Sequence, residues 1–396
     1  MLNFFEARQR ILAAARPLAR ESIELYRAHG RVLAEDLVAH EALPPFDYSA
    51  MDGYAARADD VNERSREGLP VVGECRAGDT QQELAAGTAL RIFTGAPLPR
   101  GADCVVIQEN SERRGSQVYF NQSARRYDNV RRAGDDIARG ALALGRGTRL
   151  GPFQLGLAAA LDRASVVVSR RPRVKLVATG SELRPPGSTP VAGTIPESNG
   201  VALAALATLA GAEVSMEAAL ADDLPTTTAS FARNFGSCDV LITIGGVSVG
   251  DHDLVRPALE AAGASLNFWK VAIKPGKPLT FGSAGDTLIL GLPGNPVSAQ
   301  ITFALFGVPL LRSLQGDKNP LPPFTRVRLA APFSQKPGRL GLYRAHLDGQ
   351  RAFIAENQAS GSTLSLAHAD ALVCVPADVS ECAADSELDA IRLQDL

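Results

Sequence analysis

Only six of the 41 basic residues in this chain are lysine, and three of the six, Lys270, Lys274 and Lys277, fall close together. An ammonium is a compact point charge and a guanidinium a planar fork, so the cluster marks places where a point charge is wanted. Lys274 and Lys277 lie in the segment KPGKP (Lys274–Pro278). Its prolines fix the backbone and remove two donors, and Gly276 permits the turn between the lysines. A stiff loop loses little freedom on binding, which favours an anion clamp over a plain surface turn. A second segment, ITIGGVSVGDHD (Ile242–Asp253), runs from an apolar strand into Gly245 and Gly246. Glycines there let a ligand approach the backbone, Gly250 adds a second flexible point, and Ser248 with the free N–H groups can form an oxyanion nest. Asp251 and Asp253 bring carboxylates to the same rim, which suits a divalent metal bridging to a phosphate. The same residues also suit a tight strand-to-helix turn capped by Asp253. The segment matches neither common nucleotide fingerprint, G-x-G-x-x-G or G-x-x-x-x-G-K-[ST].

A third segment, GLPGNPVSA (Gly291–Ala299), places Pro293 and Gly294 before Asn295, a good N-cap, and Pro296, a good first helical residue, with Ser298 in the first turn. The helix start then points its unpaired N–H groups at the strand end, a ready anion site. Glu182 in ATGSE and the neighbours Asp222 and Asp223 are candidate carboxylates at the ends of two other apolar runs. Acids and lysines at one rim suit a metal with a polyphosphate better than either set alone.

The elements that must position these groups follow from periodicity. Between Arg173 and about Leu314, apolar runs (VKLVATG, EVSMEAAL, DVLITIGG, TLILGLPG) alternate with helical stretches (VALAALATLAGA, the segment after Pro225, about Asp253–Ala262, and a last one from Pro296). This pattern predicts a parallel sheet covered on both faces, with ligands outside the carboxyl ends of its strands. The glycine loops all fall at those ends. Upstream, Asn3 with Glu6 predicts a capped helix bearing Phe4, Ala7, Ile11 and Leu12 on one face. A strand is expected over Leu33–Ala39, a β-rich module with short strands over about 47–140, a short helix opened by Pro152, and a strand at Val166–Ser169. Beyond a Pro-rich linker (Pro320, Pro322, Pro323), the runs TRVRLAAPF, LYRAHLD, RAFIAE, ALVCVP and ELDAIRL predict a small β-barrel or sandwich.

With 396 residues, two to four domains are expected. Net charge is −2, so bulk electrostatic binding to nucleic acid or anionic lipid is not expected. The five cysteines (Cys75, Cys104, Cys238, Cys374, Cys382) form no C-x-x-C pair and read as reduced, buried thiols of a cytosolic protein. No H-x-x-x-H spacing suggests zinc. Glu6 and Arg8 interrupt the first apolar stretch, so no signal peptide is expected, and Val201–Ala212 is too short to span a bilayer.

Three further segments, PPFDYSAMDGYA (Pro44–Ala55), FTGAPLPRGADCVVIQE (Phe93–Glu109) and RRAGDDIARG (Arg131–Gly140), each read alone as structural turns. Taken in order with ATGSE, GGVSVGDHD, KPGKP and GLPGNPVSA, they resemble the MoeA/gephyrin E-domain family of molybdopterin molybdenumtransferases over nearly the whole chain. The resemblance implies a MogA-like α/β/α domain (172–316) with a parallel-rich sheet, and a discontinuous N-terminal domain (1–45 with 141–171) around an inserted β-rich domain (46–140). A C-terminal β-barrel (320–396) follows. It implies a cytoplasmic homodimer that inserts molybdate into the dithiolene of adenylylated molybdopterin, releases AMP and uses Mg2+. The preceding adenylyltransferase and recipient molybdoenzymes are implied candidate partners.

By position, Asp52, Thr94, Asp136, Glu182, Asp222, Asp253, Lys274 and Lys277 match the family's active-site positions. Glu182, Asp222 and Asp253 are the implied metal ligands, although Asp223 leaves the register at Asp222 open. Gly245, Gly246, Ser248, Gly250, Pro293, Gly294, Asn295, Pro296 and Ser298 form the implied cofactor-binding loops. Tyr48 stands where Asn or Lys is common, and PESN (Pro196–Asn199) replaces a segment that usually contains Tyr. Two other functions compete. Mg-ATP-dependent adenylylation of molybdopterin needs only the MogA-like domain, and the long N-terminal half and the barrel argue against it. A scaffold role lacks the linker and second domain it would need.

Overall fold

The computed structural model describes residues 1–64, 66–246 and 254–396. Its centre is a six-stranded sheet in the order Glu213–Met216, Arg173–Ala178, Val240–Ile244, Thr287–Leu292, Pro278–Ala284, Ser265–Lys270. The first four strands are parallel and the last two antiparallel. Side chains alternate between two cores, as a two-residue period requires. Val174, Leu176, Val240, Ile242, Ile244, Leu290 and Leu292 pack under the helices Asn199–Leu209 and Pro296–Leu314. Val177, Leu241 and Ile289 pack on the other face with Phe231 of Leu224–Asn234 and with Val255, Ala258 and Leu259 of Val255–Ala261.

The α/β pattern expected from sequence is present, with two differences. EVSMEAAL forms a strand only over Glu213–Met216. The antiparallel pair was not expected. It exists because Gly285, at φ +56°, and Asp286 make a two-residue hairpin between Ala284 and Thr287. The hairpin reverses the chain, so Pro278 lies beside the carboxyl end of the Thr287–Leu292 strand.

Among the described residues, one helical run, Pro296–Leu314, is long and apolar enough to cross a membrane, and 83% of it is buried inside the fold. Helix Phe4–Ala14 is capped as expected, with Asn3 Oδ1 accepting from Glu6 N–H at 2.8 Å. Phe4, Ala7 and Ile11 join the α/β core, Phe4 edge-on to Phe306 at 5.2 Å.

The flanking stretches Arg20–Glu24 and Ser165–Ser169 pair antiparallel, as do Leu37–Val38 and Leu142–Leu144. The strand expected over Leu33–Ala39 shrinks to Leu37–Val38: the chain bends at Ala34–Glu35, and Leu33 keeps only an isolated bridge to Val168. Between these stretches lies a second six-stranded sheet, Cys104–Ile107, Gly53–Ala56, Ala89–Ile92, Leu69–Cys75, Gln117–Phe120, Ser111–Arg114. It carries one helix that the β-rich reading missed, Ala58–Glu63.

The five C-terminal runs form a closed five-stranded barrel: Leu340–Asp348, Arg351–Ile354, Thr325–Leu329, Glu387–Arg392, Ala371–Val375 and back to Leu340–Asp348. Its outer residues Leu342, Leu372 and Ile391 join the α/β core, so the barrel is seated on the same unit that carries the glycine loops.

Arg170, just after the Ser165–Ser169 strand, anchors the α/β sheet through a two-pronged pair to Asp239 at 2.6 and 2.8 Å. Burial pushes the Asp239 carboxyl up, but the hydrogen bonds from Arg170 and the Arg173 N–H, with the nearby charges, outweigh it and hold it below the usual range. Arg170→Ala should therefore lower unfolding free energy at neutral pH by about 2–3 kcal/mol. Urea titration followed by the fluorescence of Trp269, the only tryptophan, measures this. A depressed carboxylate stabilises above its unfolded-state pKa and stops doing so as pH falls through the folded one, so the difference from wild type should shrink in acid.

Candidate active site

The carboxyl ends of three adjacent parallel strands, Arg173–Ala178, Val240–Ile244 and Thr287–Leu292, carry the three glycine loops. They touch one another. A Cβ on Gly245, at φ +90°, would stand 2.7 Å from Thr179 O, and one on Gly294 would stand 3.5 Å from Gly245 Cα. Glycine at 245 is thus what lets the loops close on each other. The geometry gathers Gly180, Gly245, Gly246, Pro293, Gly294 and the helix start at Pro296 along one rim. Ser248, Gly250, Asp251 and Asp253 lie outside the described residues.

Asn295 occupies the N-cap position but, contrary to expectation, its side chain makes no capping hydrogen bond. The first-turn amide of Val297 instead donates to Ser360 O at 3.0 Å, from the barrel. A tertiary acceptor has replaced the local one. Two residues of the PESN departure serve this rim and were not singled out from sequence. Asn199 Nδ2 donates to Gly294 O at 2.8 Å, and buried Glu197 accepts from Gly200 N–H at 2.8 Å, fixing the helix start beneath the loop.

The acids separate by role. Asp223 caps helix Leu224–Asn234, accepting from Thr226 N–H at 2.9 Å, and the Thr226 hydroxyl together with that N–H holds its carboxyl below the usual range. Asp222 faces the neighbouring loop: it accepts from Ser181 N–H, and Ser181 Oγ accepts from its N–H, both at 3.1 Å. Glu182 folds back over Gly180, its Oε2 2.6 Å from where a Cβ would stand. Glu182 and Asp222 therefore project from adjacent loops. Among the described residues, no three His, Cys, Asp or Glu side chains stand close enough to hold a metal ion.

The hairpin brings KPGKP to the same edge. Gly276 has φ +100°, and a Cβ there would fall 2.2 Å from Thr302 Oγ1, so the turn between the lysines requires glycine. Lys274 and Lys277 line one cleft of about 300 Å³ together with Ser298, Arg339, Tyr343, Gln358 and Ser360. Among the described residues the one lysine ion pair is Lys175 with Glu217, so neither Lys274 nor Lys277 has an acid partner there. Arg339, Tyr343, Gln358 and Ser360 come from the barrel, which the sequence reading treated as a separate module. Arg344, buried within the barrel, donates to Asn357 O (2.9 Å) and Ala359 O (3.2 Å) and so holds the loop that carries Gln358 and Ser360. The cleft presents three cations and several hydroxyl or amide groups, a setting for a small oxyanion.

Asp52 and Thr94 meet at the inserted sheet, and Asp136 lies in the segment that leads out of it. Asp52 Oδ1 accepts from both the N–H and the hydroxyl of Thr94, each at 2.8 Å. Asp136 pairs with Arg131 at 2.6 Å, and Arg131 lies opposite Tyr48 in the strand pair leading to Asp52. The two Thr94 donors hold the Asp52 carboxyl below its usual range. Thr94→Val removes the hydroxyl donor, so Asp52 should titrate at higher pH, seen directly in its carboxyl 13C shift. Among the described residues no hydrogen bond or ion pair joins these residues to the rim of the α/β sheet.

Comparison with known proteins agrees with this layout. Residues 2–161 match the MoeA N-terminal region (domain I and II), residues 175–313 a probable molybdopterin binding domain, and residues 326–393 the MoeA C-terminal region (domain IV). The molybdopterin molybdenumtransferase 2 of Mycobacterium tuberculosis is 39% identical over 395 residues, covering 96% of this chain and 97% of that protein. The molybdopterin molybdenumtransferase of Haemophilus influenzae is 36% identical over 362 residues, covering 90% and 87%. A crystal structure of a molybdopterin biosynthesis MoeA protein from Pyrococcus horikoshii superposes with a TM-score of 0.84 at 30% identity, covering 99% of both chains. The chain belongs to the MoeA family of molybdopterin molybdenumtransferases, the transferases of molybdenum cofactor biosynthesis.

Proposed function

We propose that this transferase inserts molybdate into the dithiolene of adenylylated molybdopterin and releases AMP, at a site shared between two copies of the chain. The observation that carries the reading is the single cleft lined by Lys274, Lys277, Arg339 and Ser298 beside the glycine loops. Molybdate is a tetrahedral dianion, and ammonium groups on a rigid loop, without acid partners among the described residues, suit it. The Gly246 N–H and, in the first turn of the helix beginning at Pro296, the Ser298 N–H serve as the anchor for the pyrophosphate, since Gly245 N–H is given to Leu292 O and Val297 N–H to Ser360 O. Ser248, Gly250, Gly294, Asn295 and Pro293 belong to the same proposed cradle. Catalysis is then mostly positioning and charge neutralisation.

Mg2+ fits the residues present. Glu182 and Asp222 offer hard carboxylate oxygens on adjacent loops, and Mg2+ binds through one or two carboxylates plus phosphate oxygens and waters. Asp253 completes the proposed set. When bound, the ion would polarise the phosphoryl group.

The separation of Asp52, Thr94 and Asp136 from the lysine cleft supports a homodimer in which each site draws one set from each copy. The strand pairs joining 20–24 to 165–169 and 37–38 to 142–144 support a discontinuous first domain (1–45 and 141–171) around 46–140, followed by 172–316 and 320–396. All five cysteines are buried and unpaired, and burial pushes the Cys104 and Cys374 thiols up to about 12. Such inert thiols support a cytoplasmic setting. The adenylyltransferase of the preceding step and recipient molybdoenzymes are the proposed protein partners.

The test is AMP release from adenylylated molybdopterin with and without molybdate. Release should require molybdate and be lost in Asp253→Ala with the fold retained. Adenylylation of molybdopterin from ATP without molybdate would favour the adenylyltransferase reading instead.

A further inference from the structure

We propose that Tyr343 of the barrel is a positioning residue for the oxyanion, its ring face holding the Lys274 ammonium in place. The inference deepens the reading of the lysine cleft as the molybdate site and rests on it. Ile273–Lys274 forms a short parallel strand on the edge of the barrel, with Lys274 opposite Gly341. Opposite residues share a face, and so do residues two apart along a strand, so Lys274, Gly341 and Tyr343 look the same way.

Gly341 leaves the position facing Lys274 empty. The Tyr343 ring fills that space: a Cβ on Gly341 would fall 2.3 Å from Tyr343 Cε2. The result is a lysine whose Nζ stands 5.7 Å from the Tyr343 ring centroid, within cation–π range. The ring cannot easily move. It is 4% exposed, packs edge-on against Phe333 at 4.5 Å, and its hydroxyl donates to Gln335 Oε1 at 2.9 Å. Gln335 in turn donates to Pro376 O and Val379 O.

A free lysine stem samples many rotamers and loses that freedom when it meets an anion. The ring face removes part of that loss beforehand and leaves the ammonium protons for the ligand. Ring and lysine belong to different structural units, so seating of the barrel and geometry of the anion clamp are one event. Among the described residues Lys277 has no such contact, which makes the two lysines unequal.

The experiment titrates sodium molybdate into the full chain by calorimetry, in wild type and in Tyr343→Leu, Tyr343→Phe and Lys274→Ala. Tyr343→Leu should bind roughly threefold to tenfold more weakly, from loss of the cation–π contact. Tyr343→Phe keeps the ring and loses the hydroxyl, so it should retain most of the affinity. Lys274→Ala should lose binding more severely. An unchanged Lys274→Ala would overturn the reading of the cleft itself. A weakened Lys274→Ala with Tyr343→Leu binding like wild type would overturn only the role of Tyr343. Equal loss in Tyr343→Phe and Tyr343→Leu would assign the effect to the Gln335 network and also overturn it.

A second measurement does not depend on the folding of a variant. The chain has six lysines, so a 13C-lysine spectrum of the wild type is simple. The Lys274 Hε resonances should lie upfield of the other five through the ring current, and ordinary positions for all six would contradict the proposal.

Discussion

Lys277→Ala is expected to slow molybdate-dependent AMP release by about 10²–10³-fold in kcat/KM for molybdate, the scale of removing one preorganised charged donor from a reaction site. Its backbone is already fixed, since Lys277 O accepts from Val271 N–H at 3.0 Å, while the side chain is exposed at the cleft. Because no acid pairs with it among the described residues, the substitution breaks no ion pair there, and stability should change by less than about 0.5 kcal/mol. Lys277→Arg should recover only part of the loss, because a planar fork does not replace a point charge at a tetrahedral dianion. A loss below threefold in Lys277→Ala would remove this lysine from the site.

Subunit complementation should give the second large effect. Asp52→Ala and Lys274→Ala should each be nearly inactive. If each site takes Asp52 from one copy and Lys274 from the other, a heterodimer of the two variants holds one intact site and one doubly altered site. Random reassociation makes about half the dimers heterodimers, so activity should return to about a quarter of wild type. If both residues serve from the same chain, every site carries a lesion and mixing restores nothing. Size-exclusion chromatography of the mixture checks that exchange has taken place.

Much of the α/β unit was legible because its apolar runs are short, continuous and separated by helical stretches, which leaves little choice but a covered parallel sheet. Gly245 was legible as a close-approach point, since few other roles put glycine after a buried strand, whereas the approach of Gly294 to it depends on how the two loops pack. The antiparallel edge was missed although Gly285-Asp286 is a readable hairpin turn. Its consequence, that KPGKP returns to the glycine loops, depends on pairing rather than on local propensity. Asn295 shows the converse. Its sequence is right for a side-chain cap, yet Ser360 O supplies an acceptor from about 60 residues away, and no local rule reports such a partner. Arg339, Tyr343 and Ser360 were invisible for the same reason, because the barrel reads as a self-contained module until Ile273–Lys274 is seen on its edge. Asp222 and Asp223 were indistinguishable by spacing and are separated only by which of them the helix uses as its cap.

The most direct measurement is anomalous diffraction at the molybdenum edge from crystals of the wild-type protein soaked with molybdate and AMP. One strong molybdenum peak is expected among Lys274, Lys277, Arg339 and Ser298, with the AMP phosphate at the Gly245 and Gly294 loops. A molybdenum peak elsewhere, with that cleft empty, would contradict the proposed site.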